Sequence, residues 1–251
     1  MLAAGVDGCK GGWIAVWRDA DGNFQRDVFA SFSALVDFMP ADAVIAVDMP
    51  IGLPDFTHKG GRGPERLVRP LIGQRQSSVF SIPSRAAVYA DTQPFTTLEV
   101  WYEAHRRASA VAMETSDPPR GVSIQAFGIF SKIREMDALL CAVPGLRKRV
   151  IESHPEVAFW KLYDDCAMIL PKKIKGRINP AGMEERRALL SRSGFDPGFL
   201  QQSPPRGAAA DDFLDACAML AIAERFAQGE AISFPDPPDM DSKGNPIAIR
   251  V

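Results

Sequence analysis

Aspartates that could bind a metal ion occur in three short segments that lie far apart in the chain. Asp7 and Asp48 each end an apolar run rich in β-branched residues, and Asp215 lies inside a strongly apolar helix near the end of the sequence. Buried carboxylates without a partner carry a large desolvation and repulsion cost, which a divalent cation usually relieves. If the three segments meet in the fold, the pattern predicts a metal-dependent hydrolase.

The aspartates at the strand ends and in the first turn of the last helix also have a purely structural interpretation. Asp7 and Asp48 could satisfy backbone N–H groups where their strands end. Asp211 and Asp212 fall in the first turn of the last helix, where acids cap the helix and offset its dipole, so one of the two is expected to do only that. Asp215 resists this explanation, because a buried carboxylate one turn inside the helix needs a cation or another acid as its partner.

A further acid, Glu152, ends another short apolar strand and is followed by Ser153-His154-Pro155-Glu156. The proline suits a first helical turn, where the helix dipole favours Glu156, so Glu156 is the structural candidate. Glu152 is then the candidate for binding a metal or positioning water. His154 could transfer protons, and a hydrogen-bonded structural role explains it equally well.

The chemistry that suits such a set is phosphodiester hydrolysis with divalent ions. Two-metal hydrolysis uses carboxylates to hold a pair of ions about 4 Å apart, one activating water and one stabilising the leaving oxygen. Carboxylates select Mg²⁺ or Mn²⁺, whereas Zn²⁺ normally recruits His or Cys. The chain has four cysteines without a CxxC pair and three histidines, which argues against a structural zinc site.

Positive charge for an anionic substrate could come from two basic segments. Between residues 58 and 85 six basic residues face a single acid, and a second basic segment lies at residues 172–177. Charge runs are mostly solvated surface, so substrate contact and plain surface are both open interpretations. The candidate substrate-binding residues are Arg62, Arg66, Arg75, Arg85, Lys172 and Lys173.

The elements that position the acids begin with three strands joined by tight turns, a helix capped by Ser31, and a near-continuous apolar strand. They are expected at residues 2–6, 13–17, 24–29, 33–38 and 43–47. A right-handed crossover places the fourth strand beside the first and parallel to it. Asp7 and Asp48 would then lie at the same end of neighbouring strands, about 5 Å apart.

The rest of the chain is predicted to hold a mostly helical insertion, over about residues 55–145, within a single domain of residues 1–251. Helical periodicity marks residues 98–112 and 125–140 of this insertion. Beyond it we expect strands at 149–152, 231–234 and 247–249, helices at 156–163, 183–191 and 208–226, and a basic loop at 171–179.

Composition narrows the class of protein. The chain of 251 residues is 46% hydrophobic and 24% charged, as in ordinary globular proteins, and its formal net charge of -2 argues against extensive nonspecific binding to duplex nucleic acid. No segment has the order of a signal peptide, and no apolar run approaches ~18 residues. We therefore expect a cytoplasmic protein with reduced thiols and no membrane partner.

Five motifs together resemble the DUF429 family, whose members are described as predicted RNase H-like nucleases. The motifs are Gly5–Trp13, Val47–Pro54, Gln76–Phe80, Glu152–Glu156 and Asp211–Ala216. The resemblance implies an α/β fold of the ribonuclease H-like superfamily, with a five-stranded mixed sheet whose first three strands are antiparallel and whose faces are covered by helices. The meander and crossover described above agree with that fold.

The segment Asp212–Ala216 is also similar to the D-x-x-D-A pattern in the last helix of Holliday-junction resolvases. By that resemblance the Mg²⁺ or Mn²⁺ ligands would be Asp7, Asp48, Asp212 and Asp215, and a homodimer would suit the analogy. With Glu152 added, the candidate catalytic residues are Asp7, Asp48, Glu152, Asp212 and Asp215.

Three functions remain open. The first is a metal-dependent nuclease, or a related phosphodiester hydrolase acting on nucleic acid or another phosphoester. The second is an ATP phosphotransferase of the actin-like and sugar-kinase group, whose first phosphate loop also begins with Asp-x-Gly. Gly8, Gly11 and Gly12 suit the approach of a phosphate to the backbone, although a second core and a second glycine-rich loop are missing from the sequence. The third is a non-catalytic binding protein that retains the fold.

Overall fold

Three strands joined by tight turns open the chain, in a computed structural model that describes residues 2–251. They are β1 (Ala3–Cys9), β2 (Gly12–Arg18) and β3 (Phe24–Phe29), and they pair as an antiparallel meander. The sequence predicts that β1 ends at residue 6, whereas the strand continues through Cys9. Asp7 therefore lies inside β1, where the ladder fixes its backbone.

A crossover through one helix returns the chain to the middle of the sheet. Helix α1 (Phe32–Phe38) begins after Ser31, whose side chain accepts a hydrogen bond from the Ala34 N–H, as predicted for an N-cap. Strand β4 (Val44–Asp48) then pairs with β1 in parallel, and Asp7 lies opposite Asp48 in the register. The predicted position of the fourth strand is confirmed.

The chain between β4 and residue 150 is mostly helical. Its elements are β5 (Thr57–His58), α2 (Gly63–Val68), α3 (Arg85–Val88), α4 (Leu98–Glu114), β6 (Ser116–Asp117), α5 (Ile124–Gly128) and α6 (Phe130–Ala142), with 3₁₀ helices at Arg69–Ser78 and Pro144–Lys148. The two predicted helical segments correspond to α4 and to α5 with α6. The first 3₁₀ helix was not predicted from the sequence pattern. It is interrupted at Gly73, whose φ of 51° is not helical.

The last hundred residues return to the sheet and then cover it. Their elements are β7 (Val150–Glu152), α7 (Pro155–Leu162), β8 (Lys173–Ile174), β9 (Arg177–Ile178), α8 (Pro180–Arg192), α9 (Pro197–Leu200), α10 (Ala210–Gln228), β10 (Ser233–Met240) and β11 (Pro246–Arg250). The predicted basic loop contains the short hairpin β8–β9, and the two predicted terminal strands are longer and pair as a second hairpin. Throughout residues 2–251, no helix combines the length and apolar character that a membrane crossing requires.

The central sheet has the strand order β3-β2-β1-β4-β7. Its first three strands are antiparallel, and β4 is parallel to both β1 and β7, which is the arrangement of the ribonuclease H-like fold. Apolar cores cover both faces: Val44 and Ala46 pack on the face that meets α10, and Ile45 and Val47 on the face that meets α1 and α6. Burial on both faces is why β4 is apolar at consecutive positions.

Candidate metal centre

Backbone contact between β1 and the last helix brings Asp215 to the sheet. A Cβ atom added at Gly5 would lie 1.9 Å from the Leu220 amide nitrogen and 2.1 Å from the Ala216 carbonyl oxygen. Glycine is therefore required at this position, because α10 rests directly on the β1 backbone. Since Asp7 follows Gly5 by two residues and Asp215 precedes Ala216, this contact sets the two carboxylates side by side.

Three aspartates meet where β1, β4 and α10 come together. Carboxylate oxygens of Asp7, Asp48 and Asp215 all lie within 4.8 Å of one another, a spacing that allows them to share a metal ion. Asp7 and Asp215 are buried and Asp48 is half-buried. The predicted convergence of distant carboxylates is thus present in the fold, and the cluster can hold a divalent cation.

Few protein donors satisfy these carboxylates. Asp7 Oδ1 accepts a hydrogen bond of 2.6 Å from the Gly8 N–H, and Asp215 Oδ2 pairs with the Lys172 ammonium. Asp215 Oδ1 is buried and has no hydrogen-bond partner among the described residues. A buried carboxylate oxygen left in this state fits a metal ligand, because a bound cation would satisfy it.

The electrostatics of the cluster disfavour full ionisation without a cation. Burial, together with the charges of Asp48 and Asp215, raises the pKa of Asp7 well above its usual range. Burial and the charge of Asp215 raise the pKa of Asp48 to about 7, and burial raises the pKa of Asp215 to about 6 against the opposing effect of Lys172. Carboxylates that protonate near neutrality are typical of metal centres and active sites.

Lys172, one of the predicted substrate-binding residues, lies inside this cluster. Burial by itself would lower the pKa of its ammonium, but Asp215, Asp7 and Asp48 raise it above the usual value, so Lys172 stays charged. Its neighbour Lys173 instead pairs with Asp211, at 2.5 Å between Nζ and Oδ2, and is more exposed. The two lysines therefore have different surroundings although they are adjacent in sequence.

Asp7 and Asp48 also line a cleft that reaches away from the cluster. Its polar lining includes Lys132, Ser153 and His154, and its apolar lining includes Met49, Phe80 and Ile129. The hydroxyl of Ser153 and the Nδ1 atom of His154 are buried without hydrogen-bond partners in the described chain. Burial lowers the pKa of His154 to about 4, so the ring is neutral at pH 7 and is not a source of positive charge.

Asp212, a predicted metal ligand, lies outside the group of three carboxylates that could share an ion, so its role as a ligand stays a prediction. Its Oδ2 atom accepts a hydrogen bond of 2.9 Å from the Ala209 N–H, which satisfies the backbone at the start of α10. Asp211 pairs with Lys173 on another face of the same turn. Asp211 and Asp212 lie beside the centre. Asp215 is the acid of α10 that enters it, because Asp215 follows them by four and three residues and so lies one turn further along the helix.

Glu152 and Arg62, which were predicted to contact metal and substrate, form an ion pair with each other inside the protein, and their predicted roles stay predictions. The two terminal guanidinium nitrogens of Arg62, Nη1 and Nη2, donate to the Glu152 carboxylate at 3.0 and 2.5 Å, and Arg62 Nε donates to Glu65 at 2.6 Å. Glu152 also accepts a hydrogen bond from the Ile51 N–H. All three charged side chains are buried within the protein, and all three residues line the cleft beside Asp7 and Asp48.

The other predicted arginines lie away from the cluster. Arg85 pairs with Asp137 and Asp241, which fastens the β10–β11 hairpin to α6, and its predicted contact with substrate stays a prediction. Arg66 is exposed and Arg75 is half-buried, and the cleft lining over residues 2–251 includes neither of them. Their contact with a substrate stays a prediction.

Lys132 is the cationic side chain of the cleft that the sequence analysis missed. Lys132 comes from α6. A Cβ atom added at Gly8 would lie 2.8 Å from the Lys132 Cδ atom, so the aliphatic part of the lysine covers β1 next to Asp7. Its Nζ atom donates to the Gly12 carbonyl oxygen at 2.5 Å and lies 4.4 Å from the Trp13 ring centroid. No local motif marks it, because only the packing of α6 against β1 and β2 brings it there.

The sheet, the final helix and the shared acidic centre define a ribonuclease H-like α/β protein with a candidate metal site. Residues 5–240 match the family model described as "Protein of unknown function (DUF429)", and since the match covers most of the chain, the protein belongs to the DUF429 family. No curated protein and no solved structure matches the chain.

Proposed function

We propose that this protein is a phosphodiester hydrolase, a nuclease or a related enzyme, that depends on Mg²⁺ or Mn²⁺. The observation that carries the proposal is the convergence of Asp7, Asp48 and Asp215, with one buried oxygen of Asp215 left without a partner. An all-carboxylate set favours Mg²⁺ or Mn²⁺ over softer metals. The nearest histidine in the cleft, His154, makes a contact of 3.3 Å through Nε2 with the Ser78 carbonyl oxygen.

The residues of the chain have distinct tasks in this proposal. Asp7, Asp48 and Asp215 hold the metal, which when bound supplies an activated water and a Lewis acid for the phosphoryl group. Lys172 and Lys132 are both close enough to Asp7 to interact with its charge, and they would offset the negative charge of the phosphate. Hydrolysis forms a bond from the water oxygen to phosphorus, breaks the ester P–O bond and leaves a proton on the departing oxygen.

The shape of the surface supports a substrate that extends beyond one phosphate. Next to the cleft, across Val79 and Phe80, lies an open polar groove that includes Arg69 and Arg120. A strand with several phosphates could follow the cleft into this groove, because both arginines carry positive charge. We therefore favour a single nucleic-acid strand or a similar extended phosphodiester as substrate.

The glycines that suggested an ATP phosphate loop serve packing instead. The Gly11 N–H donates to the Gly207 carbonyl oxygen at 2.8 Å, and a Cβ atom at Gly11 would lie 3.1 Å from the Gly207 Cα atom. This amide is therefore engaged by the loop before α10 and does not point to a phosphate. The phosphotransferase alternative loses its main support in the sequence.

The experiment is a hydrolysis assay with single-stranded DNA, single-stranded RNA, their duplexes and a chromogenic phosphodiester, in Mg²⁺, in Mn²⁺ and in chelator. We expect turnover of at least one substrate with metal and none in chelator. The double variant Asp7→Asn/Asp48→Asn should lose this turnover, whereas Asp27→Asn, an exposed acid on β3, should keep it. Turnover that survives in the double variant would refute the proposal, and absence of turnover on every substrate would favour the non-catalytic alternative.

A further inference from the structure

Lys172 is part of the acidic centre, together with the three aspartates. Its ammonium pairs with Asp215 Oδ2, and only 26% of its side chain is exposed. The same ammonium is close enough to Asp7 and Asp48 for its positive charge to offset part of their negative charge. The centre therefore already contains one cation before any metal ion binds.

The backbone around Lys172 is anchored on both sides. The Leu170 carbonyl oxygen accepts from Arg186, and the Pro171 carbonyl oxygen accepts from the Asn179 side-chain amide at 2.8 Å. The Lys172 carbonyl oxygen in turn accepts from the Asn179 backbone N–H. Arg186 of α8 and Asn179, the residue before that helix, thus hold three consecutive carbonyl groups. Residues 170–172 therefore have little freedom to move away from the centre.

The anchor itself is buried. Arg186 is fully buried and pairs with Glu156 at 2.5 Å, which explains the glutamate in the Glu152–Glu156 motif. A Cβ atom at Gly182 would lie 2.2 Å from the Pro171 carbonyl oxygen, so glycine lets α8 approach the segment directly. This construction supports a permanent position for Lys172 and argues against a lid that metal binding pushes aside.

A charge count then limits the number of metal ions. The three ionised aspartates carry −3 in total and the ammonium adds +1, which leaves −2. One divalent cation neutralises that remainder, whereas a second would add a net charge of +2 to a buried site. Asp212, whose charge also acts on Asp7 and Asp48, is offset by Lys132, with which its charge also interacts.

We propose that the centre binds a single divalent cation and that the Lys172 ammonium takes the place of the second metal ion of two-metal phosphodiester hydrolases. The inference rests on the metal site of the proposed function and deepens it. Lys172 would lie against the phosphate or the leaving oxygen, opposite the single ion. Its charge is available at all times, because Asp215 keeps it in position.

The experiment counts Mn²⁺ ions bound per chain, by calorimetry and by electron paramagnetic resonance, in the absence of substrate. We expect one ion in the wild type and in Lys172→Arg, which keeps the charge. Lys172→Met should bind a second ion, or bind the first about tenfold more tightly or better, because a repelling charge is gone. Lys173→Met is the matched control on the same segment and should behave as the wild type, since Lys173 pairs with Asp211 outside the cluster.

Hydrogen exchange of the wild-type protein provides a measurement that does not depend on a variant. If Lys172 stays in place, Mn²⁺ leaves the exchange of residues 170–174 unchanged or slows it. Faster exchange of these residues in Mn²⁺ would mean that the metal displaces Lys172. Two Mn²⁺ ions bound to the wild type would mean that Lys172 does not replace the second metal ion. Either result overturns the inference. A wild type that binds one ion but cleaves nothing would refute the proposed function alone, and one that cleaves with two ions would refute this inference alone.

Discussion

Two groups of buried carboxylates lie next to each other in this protein and are satisfied to very different degrees. Glu65 and Glu152 share Arg62, whose guanidinium also donates to the Ile51 and Gly52 carbonyl oxygens. The neighbouring cluster of three aspartates has one ammonium and a single backbone donor within it, that of Gly8. Val47, which precedes Asp48 in β4, is opposite Glu152 in the sheet, so the two groups differ in partners and not in location.

The difference separates a structural network from a functional one. In the arginine network both carboxylates pair with the buried Arg62 guanidinium, so their charges are offset within the folded chain, although Glu65 Oε2 has no hydrogen-bond partner among the described residues. In the aspartate cluster the countercharge is short, which raises the pKa of Asp7, Asp48 and Asp215 through burial and mutual repulsion. Buried carboxylates with too little countercharge are stable only if a cation or protons supply the missing positive charge. This shortage of countercharge is what marks the aspartate cluster as the candidate site.

The largest effect is expected from breaking the arginine network. Arg62→Ala leaves Glu65 and Glu152 buried without their shared partner and should lower the free energy of unfolding by about 3–5 kcal/mol. Denaturant unfolding of the metal-free protein measures the change. The control is Arg107→Ala, which removes an arginine that is 52% exposed and should cost about 1 kcal/mol or less. Similar losses for both variants would contradict a structural role for Arg62.

Asp48→Asn tests the opposite side of the comparison. It should reduce any metal-dependent turnover by about 10²–10³-fold, because a ligand that positions the charge-stabilising ion is lost. In the metal-free protein it should leave the free energy of unfolding unchanged or increase it, since one repelling charge is removed. A variant that loses stability and keeps turnover would mean that Asp48 is structural.

The pH dependence of stability should reveal the raised pKa of Asp48. Between its ordinary value of about 4 and its folded value of about 7, the folded chain holds a proton that the unfolded chain has released, so stability falls as pH rises through this range. His154, whose pKa is lowered to about 4 by burial, acts in the opposite direction below about pH 6.5. Subtracting the curve of metal-free Asp48→Asn from that of the wild type cancels His154, and the difference should decline towards pH 7. A flat difference would contradict the raised pKa.

The smallest effect concerns the first turn of α10. Asp212→Ala should cost about 1 kcal/mol of stability through the lost hydrogen bond to the Ala209 N–H, and Asp212→Asn less. Neither variant should change the Mn²⁺ affinity appreciably, whereas Asp215→Asn should reduce it strongly. Equal losses of Mn²⁺ affinity in Asp212→Asn and Asp215→Asn would restore Asp212 as a ligand and would weaken the case for a single ion.

Part of the site could be predicted because it follows from periodicity and chain direction. An apolar strand that ends in an acid, a crossover helix and a second such strand place Asp7 beside Asp48 by the right-handed rule alone. The buried position of Asp215 likewise follows from the apolar residues around it on α10. The partners of Arg62, Arg85, Glu152 and Asp212 could not be predicted for one shared reason: the sequence shows the type of a charged side chain and not what it pairs with.

The sequence by itself determined that the fourth strand lies beside the first, and it determined the family and the acids available for a metal site, since these depend on local pattern and on short connections. Only the tertiary structure decided which charges are neutralised within the protein and which are left for a ligand. Arg62 is separated from Glu152 by ninety residues and Lys172 from Asp215 by more than forty, so neither pairing has a local signal. Coulomb interactions depend on distance in space and on burial, and both exist only after the chain has folded.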